Sequence, residues 1–106
     1  MDPRLQIILA ELRRSLDAIY GERLSRLILF GSHARGDAEP GSDIDVLVVL
    51  RGPVNAGEEV ARTGGIVAEL CLRHTEVVNC VFMEEDRFAK RQGPLLRNIR
   101  KEGIPI

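Results

Sequence analysis

The sequence predicts an α/β or α+β domain in which helices cover one small β-sheet. Apolar residues recur at helical spacing near the N-terminus, and three short β-prone runs follow at 26–30, 43–50 and 76–82. Turn signals or helical stretches separate these runs, so the predicted element order is α-β-β-α-β-α-α. That order is typical of a layered domain around one sheet. We expect residues 1–106 to form a single domain.

The first helix begins at a capping signal and carries one apolar stripe. Asp2 suits the N-cap, Pro3 suits the first helical position, and Gly21 ends the helix. The stripe comprises Leu5, Ile8, Leu9, Leu12, Leu16 and Ile19, and it continues to Tyr20. The spacing predicts that this helix packs one face onto the sheet.

The later elements follow the same signals. Residues 46–50 are apolar on both faces of their strand, which favours a central position in the sheet. Asn55 is a candidate cap for a helix over 58–73, and a short polar helix or turn over 84–90 precedes a last helix over 94–102. The apolar positions of helix 58–73 are Val60, Val67, Leu70 and Cys71.

Composition excludes several classes of protein. The net charge of −1 gives no basic field for broad nucleic-acid binding, and one Tyr, three Phe and no Trp make a base-stacking platform unexpected. No run approaches the ~18 apolar residues of a membrane span, and charges interrupt the N-terminal segment where a signal peptide would be apolar. We therefore expect a cytoplasmic protein. Cys71 and Cys80 lie among apolar neighbours and are expected to be small buried thiols.

The stretch LFGSHARGDAEPGSDIDVLVVL, residues 29–50, carries the candidate chemistry. Gly31 and Ser32 end an apolar run, where a glycine allows close backbone approach and amide and hydroxyl groups can bind phosphate; a plain turn is the alternative. Asp43 and Asp45 are two residues apart, so in a strand both leave the same face and need a cation to offset their repulsion. Magnesium fits because it takes carboxylates together with phosphate oxygens. The alternative is that Ser42 or Asp43 caps the loop while Asp45 points to water.

If the two strands are neighbours, triphosphate and metal would meet between them. That is the arrangement of two-metal phosphoryl or nucleotidyl transfer. The sequence therefore predicts that the function depends on whether residues 26–30 and 43–50 pair.

The spacing of Gly31-Ser32, ten further residues and Asp43-Ile44-Asp45 resembles the signature of the DNA-polymerase-β-like nucleotidyltransferase superfamily. The text GSHARGDAEPGSDIDVLVV and the closing PLLRNIRKEGIPI are similar to the minimal nucleotidyltransferases of bacteria and archaea. This resemblance implies a mixed sheet flanked by helices, as in the polymerase-β palm. It also implies Mg²⁺, with two metal ions, and a nucleoside triphosphate, with ATP the expected one, whose nucleotidyl group passes to an acceptor.

The resemblance also assigns roles by position. Gly31 and Ser32 would hold the β- and γ-phosphates, and Asp43 and Asp45 would be the catalytic metal ligands. Arg35 stands where the family often has arginine; it either neutralises phosphate or supports the loop.

The match departs from the family at a third carboxylate, which the family carries on a later strand. Here VVNCVF places Asn79 at that position, and an amide can offer Mg²⁺ an oxygen but cannot act as a general base. Glu76 is three residues away and in a regular strand would point to the opposite face, unless a bulge or a later strand start turns it back. The acidic group Glu84, Glu85 and Asp86 is expected to be a solvated helix start.

Two functions follow from this pattern. One is a Mg²⁺-dependent nucleotidyltransferase with a weakened metal site. The other is a catalytically degenerate nucleotide-binding or antitoxin subunit that acts by binding a protein. No acceptor-binding domain is predicted, so the acceptor surface would come from a partner or a second copy. The resemblance implies a HEPN-type partner in a toxin–antitoxin pair, and a tRNA or other RNA acceptor stays open.

Overall fold

A computed structural model describes residues 1–90 and 93–106, and its centre is a four-stranded mixed sheet. The helices are α1 (Pro3–Tyr20), α2 (Ser32–Arg35), α3 (Ala56–His74), α4 (Glu85–Lys90) and α5 (Pro94–Glu102). The strands are β1 (Leu24–Phe30), β2 (Ile44–Leu50), β3 (Val78–Glu84) and β4 (Ile104–Pro105). The order across the sheet is β3-β2-β1-β4, with β1 antiparallel to β2 and β4, and β2 parallel to β3. The predicted fold class is confirmed.

Helix α1 forms as the sequence predicts. The Asp2 side chain accepts a hydrogen bond from the Arg4 backbone N–H at 3.0 Å, which satisfies a free donor of the first turn. The stripe is buried at Leu5, Ile8, Leu9, Leu12, Leu16 and Tyr20, whereas Ile19 is half-buried at its border. Burial of this stripe fixes α1 against the sheet.

The two faces of the sheet are covered by different helices. Ile44, Val46, Val48 and Leu50 of β2 pack with α1 and with Leu70 of α3, on what we call the α1/α3 face. The alternate β2 residues Leu47 and Val49 pack with Leu96 and Ile99 of α5, on the α5 face. Strand β2 is therefore buried on both sides, as its apolar run predicts. By the same alternation, Asp45 belongs to the α5 face.

Strand β4 was not predicted. Pro105 and Ile104 pair with Ile28 and Leu29 of β1, and the Ile106 N–H donates to the Leu27 carbonyl at 2.9 Å. A two-residue strand containing proline has no alternation to recognise in the sequence.

The acidic group at 84–86 also differs from expectation. Glu84 belongs to β3 and accepts a hydrogen bond from the Val54 N–H at 3.2 Å. Glu85 accepts from the Ser25 hydroxyl and lies 3.7 Å from the Arg51 guanidinium. The prediction of a solvated helix start is therefore wrong for Glu84, which belongs to β3, whereas Glu85 and Asp86 do stand in the first turn of α4.

Helix α3 buries Leu70 and packs Val67 and Cys71 against the core as predicted, but not the fourth predicted residue, Val60. Val60 is 55% exposed, while Glu59 and Thr63 are each only 2% exposed. The buried Glu59 carboxylate is satisfied because the Tyr20 hydroxyl donates to it at 2.7 Å and Arg62 Nε lies at 3.0 Å. Burial raises the pKa of Tyr20, and its hydrogen bond to Glu59 raises it further. A polar contact here ties the end of α1 to α3.

Both cysteines are free thiols, as expected, and each is half-buried. The Val78 N–H donates to Cys71 Sγ at 3.3 Å, and burial raises the pKa of Cys80 to about 12. Among the described residues, none of the helices combines the length and the apolar character that crossing a membrane requires.

Candidate functional site

Asp45 lies in β2, an inner strand of the sheet, and has one residue of β1 and one residue of β3 beside it. It pairs in register with Phe30 of β1 and with Asn79 of β3. The Asn79 Nδ2 donates to Asp45 Oδ1 across 3.4 Å. The carboxylate is half-buried on the α5 face, at the end of β1. Strands β1 and β2 are therefore neighbours, which is the arrangement that a site shared between Gly31-Ser32 and Asp43-Asp45 requires.

Gly31 brings the backbone against that carboxylate. It follows β1 directly with φ +78° and ψ −157°, a conformation that is essentially restricted to glycine. A Cβ atom at this position would lie 2.5 Å from Asp45 Oδ2. Glycine is therefore needed here both for its conformation and for the close approach to Asp45.

Ser32 begins the short helix α2 at the same point. The amides of residues 34 and 35 both donate to the Gly31 carbonyl at 3.1 Å, and the amides of residues 36 and 37 donate to the Ser32 carbonyl. The N–H groups of Ser32 and His33 stand at the start of the helix, where no acceptor exists within it. The turn thus presents donors beside the Asp45 carboxylate.

His33 orders the loop that leads to Asp43. Its Nε2 lies 3.1 Å from the Ser42 carbonyl oxygen, and the Ser42 hydroxyl accepts from the Glu39 N–H at 2.9 Å. Asp43 follows this ordered turn, immediately before β2, and is exposed. The loop therefore holds the exposed Asp43 two residues ahead of the half-buried Asp45.

Arg35 connects the loop to the C-terminal helix. Its Nε lies 3.2 Å from Asp37 Oδ2 and its Nη1 lies 3.2 Å from Glu102 Oε1 of α5. The hydrogen bond to Asp37 raises the pKa of Arg35. These contacts are those of a loop-supporting residue, one of the two roles that the sequence left open. Glu102 was not predicted, because nothing in its local sequence links it to a residue 67 positions earlier.

Glu76 is not close to the paired carboxylate. It precedes β3, and its Oε1 forms an ion pair with Arg4 Nη1 of α1 at 3.4 Å. Asn79, and not Glu76, is therefore the β3 residue that contacts Asp45. Within residues 1–90 and 93–106, no group of three His, Cys, Asp or Glu side chains could hold a metal ion.

The donor set still suits Mg²⁺ with a substrate. This cation binds oxygen ligands, keeps several waters, and is commonly held by one or two carboxylates together with substrate phosphates. Asp43 and Asp45 would supply two carboxylates, and the Asn79 amide would supply a neutral oxygen once its donating nitrogen turned away. Such a site would be completed by the substrate and not by the protein alone.

These features agree with the family to which the chain belongs, the nucleotidyltransferases: the model of the nucleotidyltransferase domain matches residues 9–106. Among individual relatives, MJ0604 of Methanocaldococcus jannaschii is 34% identical over 94 residues, covering 88% of each chain. Its name describes it as a candidate protein adenylyltransferase.

Solved structures show the same fold. A toxin–antitoxin structure with AMP-PNP superposes with a TM-score of 0.62 at 20% identity, covering 98% of this chain and 72% of the other. A candidate nucleotidyltransferase from Sulfolobus solfataricus gives 0.58 at 23% identity, covering 96% and 80%. The predicted membership of the nucleotidyltransferase family and the predicted fold class are confirmed.

Proposed function

We propose that this chain is a Mg²⁺-dependent nucleotidyltransferase that transfers a nucleoside monophosphate from a nucleoside triphosphate to an acceptor. The observation that carries the proposal is the contact between the Gly31 backbone and the Asp45 carboxylate. It joins a phosphate-binding turn and a metal ligand at adjacent ends of paired strands. The AMP-PNP of the structural neighbour supports ATP as the nucleotide.

The proposed roles divide between the turn after β1 and the start of β2. The backbone at Gly31 and the Ser32 hydroxyl and amide would bind the β- and γ-phosphates, while Asp43 and Asp45 would ligate one or two Mg²⁺ ions. Bound Mg²⁺ neutralises phosphate charge and acts as a Lewis acid. Asn79 orients Asp45 through its 3.4 Å hydrogen bond, but its amide cannot accept the proton of an attacking hydroxyl.

Arg35 would act mainly by keeping the turn in place. Asp37 and Glu102 fix its guanidinium, and its side chain keeps 44% of its surface exposed, so its positive charge still contributes to the potential around the turn. We assign it to nucleotide binding through this support.

The acceptor is proposed to be a partner protein. The name of the Methanocaldococcus jannaschii relative points to a protein acceptor, and the toxin–antitoxin neighbours point to a two-protein system. A HEPN-type toxin is the expected partner, with this chain as the antitoxin, a single cytoplasmic domain over residues 1–106.

One observation favours a second function. Asn79 occupies the position of the family's third carboxylate and already donates to Asp45. The alternative is therefore a catalytically degenerate subunit that binds nucleotide or partner without turnover.

Transfer of label distinguishes the two functions. The chain and its candidate partner are incubated with Mg²⁺ and each of the four α-labelled nucleoside triphosphates. We expect the acceptor to become labelled, and the label to be lost in the double variant Asp43→Asn with Asp45→Asn. Asp17→Asn is the control, since Asp17 is an exposed α1 residue that forms an ion pair with Arg13 on the same helix.

Partner binding is measured in parallel by co-purification. Absence of label with all four nucleotides, while the wild-type chain and the double variant both bind the partner, would overturn the enzyme and support the degenerate subunit. Labelling that survives the double variant would contradict the assignment of Asp43 and Asp45.

A further inference from the structure

The outward side of α3 is an uncharged surface that no other element of the described chain covers. We define the α3 outer face as Val60, Ala61, Gly64, Gly65, Ala68 and Leu72, all of which are exposed. Val60 is 55% and Leu72 82% exposed. At 3.6 residues per turn, these six positions fall within an arc of about 140°. Exposed helix surfaces usually carry charged residues, so this face resembles one that packs against a protein.

An apolar groove borders this face on the side of the sheet. The groove lies between α3 and β3 and has a volume of about 280 Å³; its lining is mainly apolar, with Val60, Val67, Val78, Cys80 and Phe82, and includes the polar residues Thr63 and Asn79. In the described part of the chain, β3 has only β2 beside it in the sheet. The groove and the helix face together form one continuous apolar surface at an edge of the molecule.

The two glycines in the middle of α3 have no explanation within the chain. Glycine is unfavourable in a helix interior, and Gly64 and Gly65 stand nine and ten positions into a helix of 19 residues. A Cβ atom at either position would meet no atom within 4 Å. Neither glycine is needed for packing among residues 1–90 and 93–106, whereas glycine at these positions would let a second backbone pass close to α3.

The charges that flank the face indicate what packs there. Glu58, Arg62, Glu69 and Arg73 are exposed and lie on one side of α3, with the sign order −, +, −, +. Reversing the helix gives +, −, +, −. Two antiparallel copies related by a twofold axis between positions 65 and 66 therefore set Glu58 against Arg73 and Arg62 against Glu69.

The intrachain partners leave these charges available. Neither Glu58 nor Glu69 forms an ion pair within residues 1–90 and 93–106. Arg62 and Arg73 contact Glu59 and Glu11, yet their side chains remain 51% and 54% exposed. All four can therefore make contacts across an interface.

We propose that the α3 outer face binds the same face of a second copy, which makes the chain a twofold dimer through an antiparallel α3–α3 pair. A twofold interface requires a surface that complements itself, and the charge order of α3 is self-complementary. A partner of different sequence would not require that self-complementarity. One helix face is smaller than the ~800 Å² per partner of a standard interface, so the dimer is weak and depends on concentration.

Sedimentation of the full-length chain over a concentration series tests this proposal. We expect reversible dimerisation of the wild-type chain, and a rise of roughly tenfold or more in the dimer dissociation constant for Ala68→Arg, which places a cation in the middle of the face. Glu69→Arg, a surface change that sets two arginines against each other, should also weaken the dimer. Ala18→Arg, the same substitution at an exposed position of α1, is the control and should dimerise like the wild type.

Circular dichroism of each variant is the check that the variant is folded. A wild-type chain that stays monomeric at every concentration would overturn the proposal, even if another protein bound to α3. Equal dimerisation of Ala68→Arg, Glu69→Arg and Ala18→Arg would overturn the assignment to this face.

Discussion

Gly31→Ala tests the contact on which the candidate site depends. The glycine has φ +78°, and an added Cβ would lie 2.5 Å from Asp45 Oδ2. Because Cβ atoms essentially never approach another heavy atom below 3.0 Å, the carboxylate must withdraw by about half an ångström or the turn must shift. The substitution should therefore lower the free energy of unfolding of the chain and alter the geometry of the candidate site.

The expected magnitude has two parts. A non-glycine residue held in this backbone region costs about 1–3 kcal/mol. Forcing the Asp45 side chain away from its rotamer adds about 0.5–1.5 kcal/mol. Gly36→Ala is the matched control, since Gly36 has φ +81° but its added Cβ would meet nothing within 4 Å. The control therefore loses about 1–2 kcal/mol for the left-handed backbone alone.

Urea denaturation measures the stability, and Mn²⁺ titration in the presence of a non-hydrolysable ATP analogue measures the site. We expect Gly31→Ala to lose more stability than Gly36→Ala and to bind Mn²⁺ and nucleotide more weakly, whereas Gly36→Ala binds like the wild type. A misplacement of about 1 Å can reduce activity by about 10²-fold, so a shift of about half that distance should weaken the site measurably. Equal Mn²⁺ and nucleotide binding by the two variants would refute the argument that Gly31 positions Asp45.

Three further predictions concern residues beside the site and in the core. Asn79→Asp places a second carboxylate against Asp45, so the chain should melt at a lower temperature without Mg²⁺ and gain more from added Mg²⁺ and nucleotide than the wild type; equal gains would contradict this. Tyr20→Phe removes the hydroxyl that donates to the buried Glu59, and urea denaturation should show a loss of about 1–3 kcal/mol. An unchanged midpoint would show that this hydrogen bond is dispensable. Burial raises the pKa of Cys80 to about 12, so the folded chain keeps this proton at pH values where the unfolded chain loses it. The contribution of Cys80 to the free energy of unfolding is therefore fully present below the ordinary thiol pKa of 9.0 and declines as the pH rises above it. Thiol labelling of Cys80 should accordingly be slow in the folded chain at neutral pH and fast in urea, and fast labelling without urea would oppose this reading.

Much of the architecture could be predicted because local signals and burial agree. Asp2 caps α1 as expected, Asn55 accepts from the Glu58 N–H at 3.1 Å as a cap of α3, and α5 has the predicted bounds 94–102. Side-chain oxygens at N-caps and apolar spacing are features that a sequence displays directly.

The errors arise where distant contacts decide the outcome. Periodicity favoured burial of Val60, but Glu59 is buried instead because Tyr20 and Arg62 satisfy its carboxylate. Glu84 continues β3 because its partner strand β2 extends to Leu50. Tertiary pairing outweighed local polarity in both cases.

The candidate site shows the same division. The resemblance placed Asn79 at the family's third-carboxylate position but left open whether Asn79 or Glu76 completes the site, and the strand register sets Asn79 beside Asp45. It left the role of Arg35 open, since only the folded chain brings Glu102 to the guanidinium. A guanidinium and a carboxylate that come together only in the tertiary structure leave no recognisable spacing in the sequence.

The parallel pairing of β2 with β3 makes the site depend on the register between these two strands. Parallel strands need a long crossover, and here that crossover is α3. A slip of one residue in β3 would set Val78 or Cys80 opposite Asp45 and turn Asn79 to the other face of the sheet. The register of β3 against β2, which follows from the side chains that β3 buries, therefore selects the β3 residue that accompanies Asp45. A change that shifted this register by one residue would alter the chemistry of the site even though every site residue remained in the sequence.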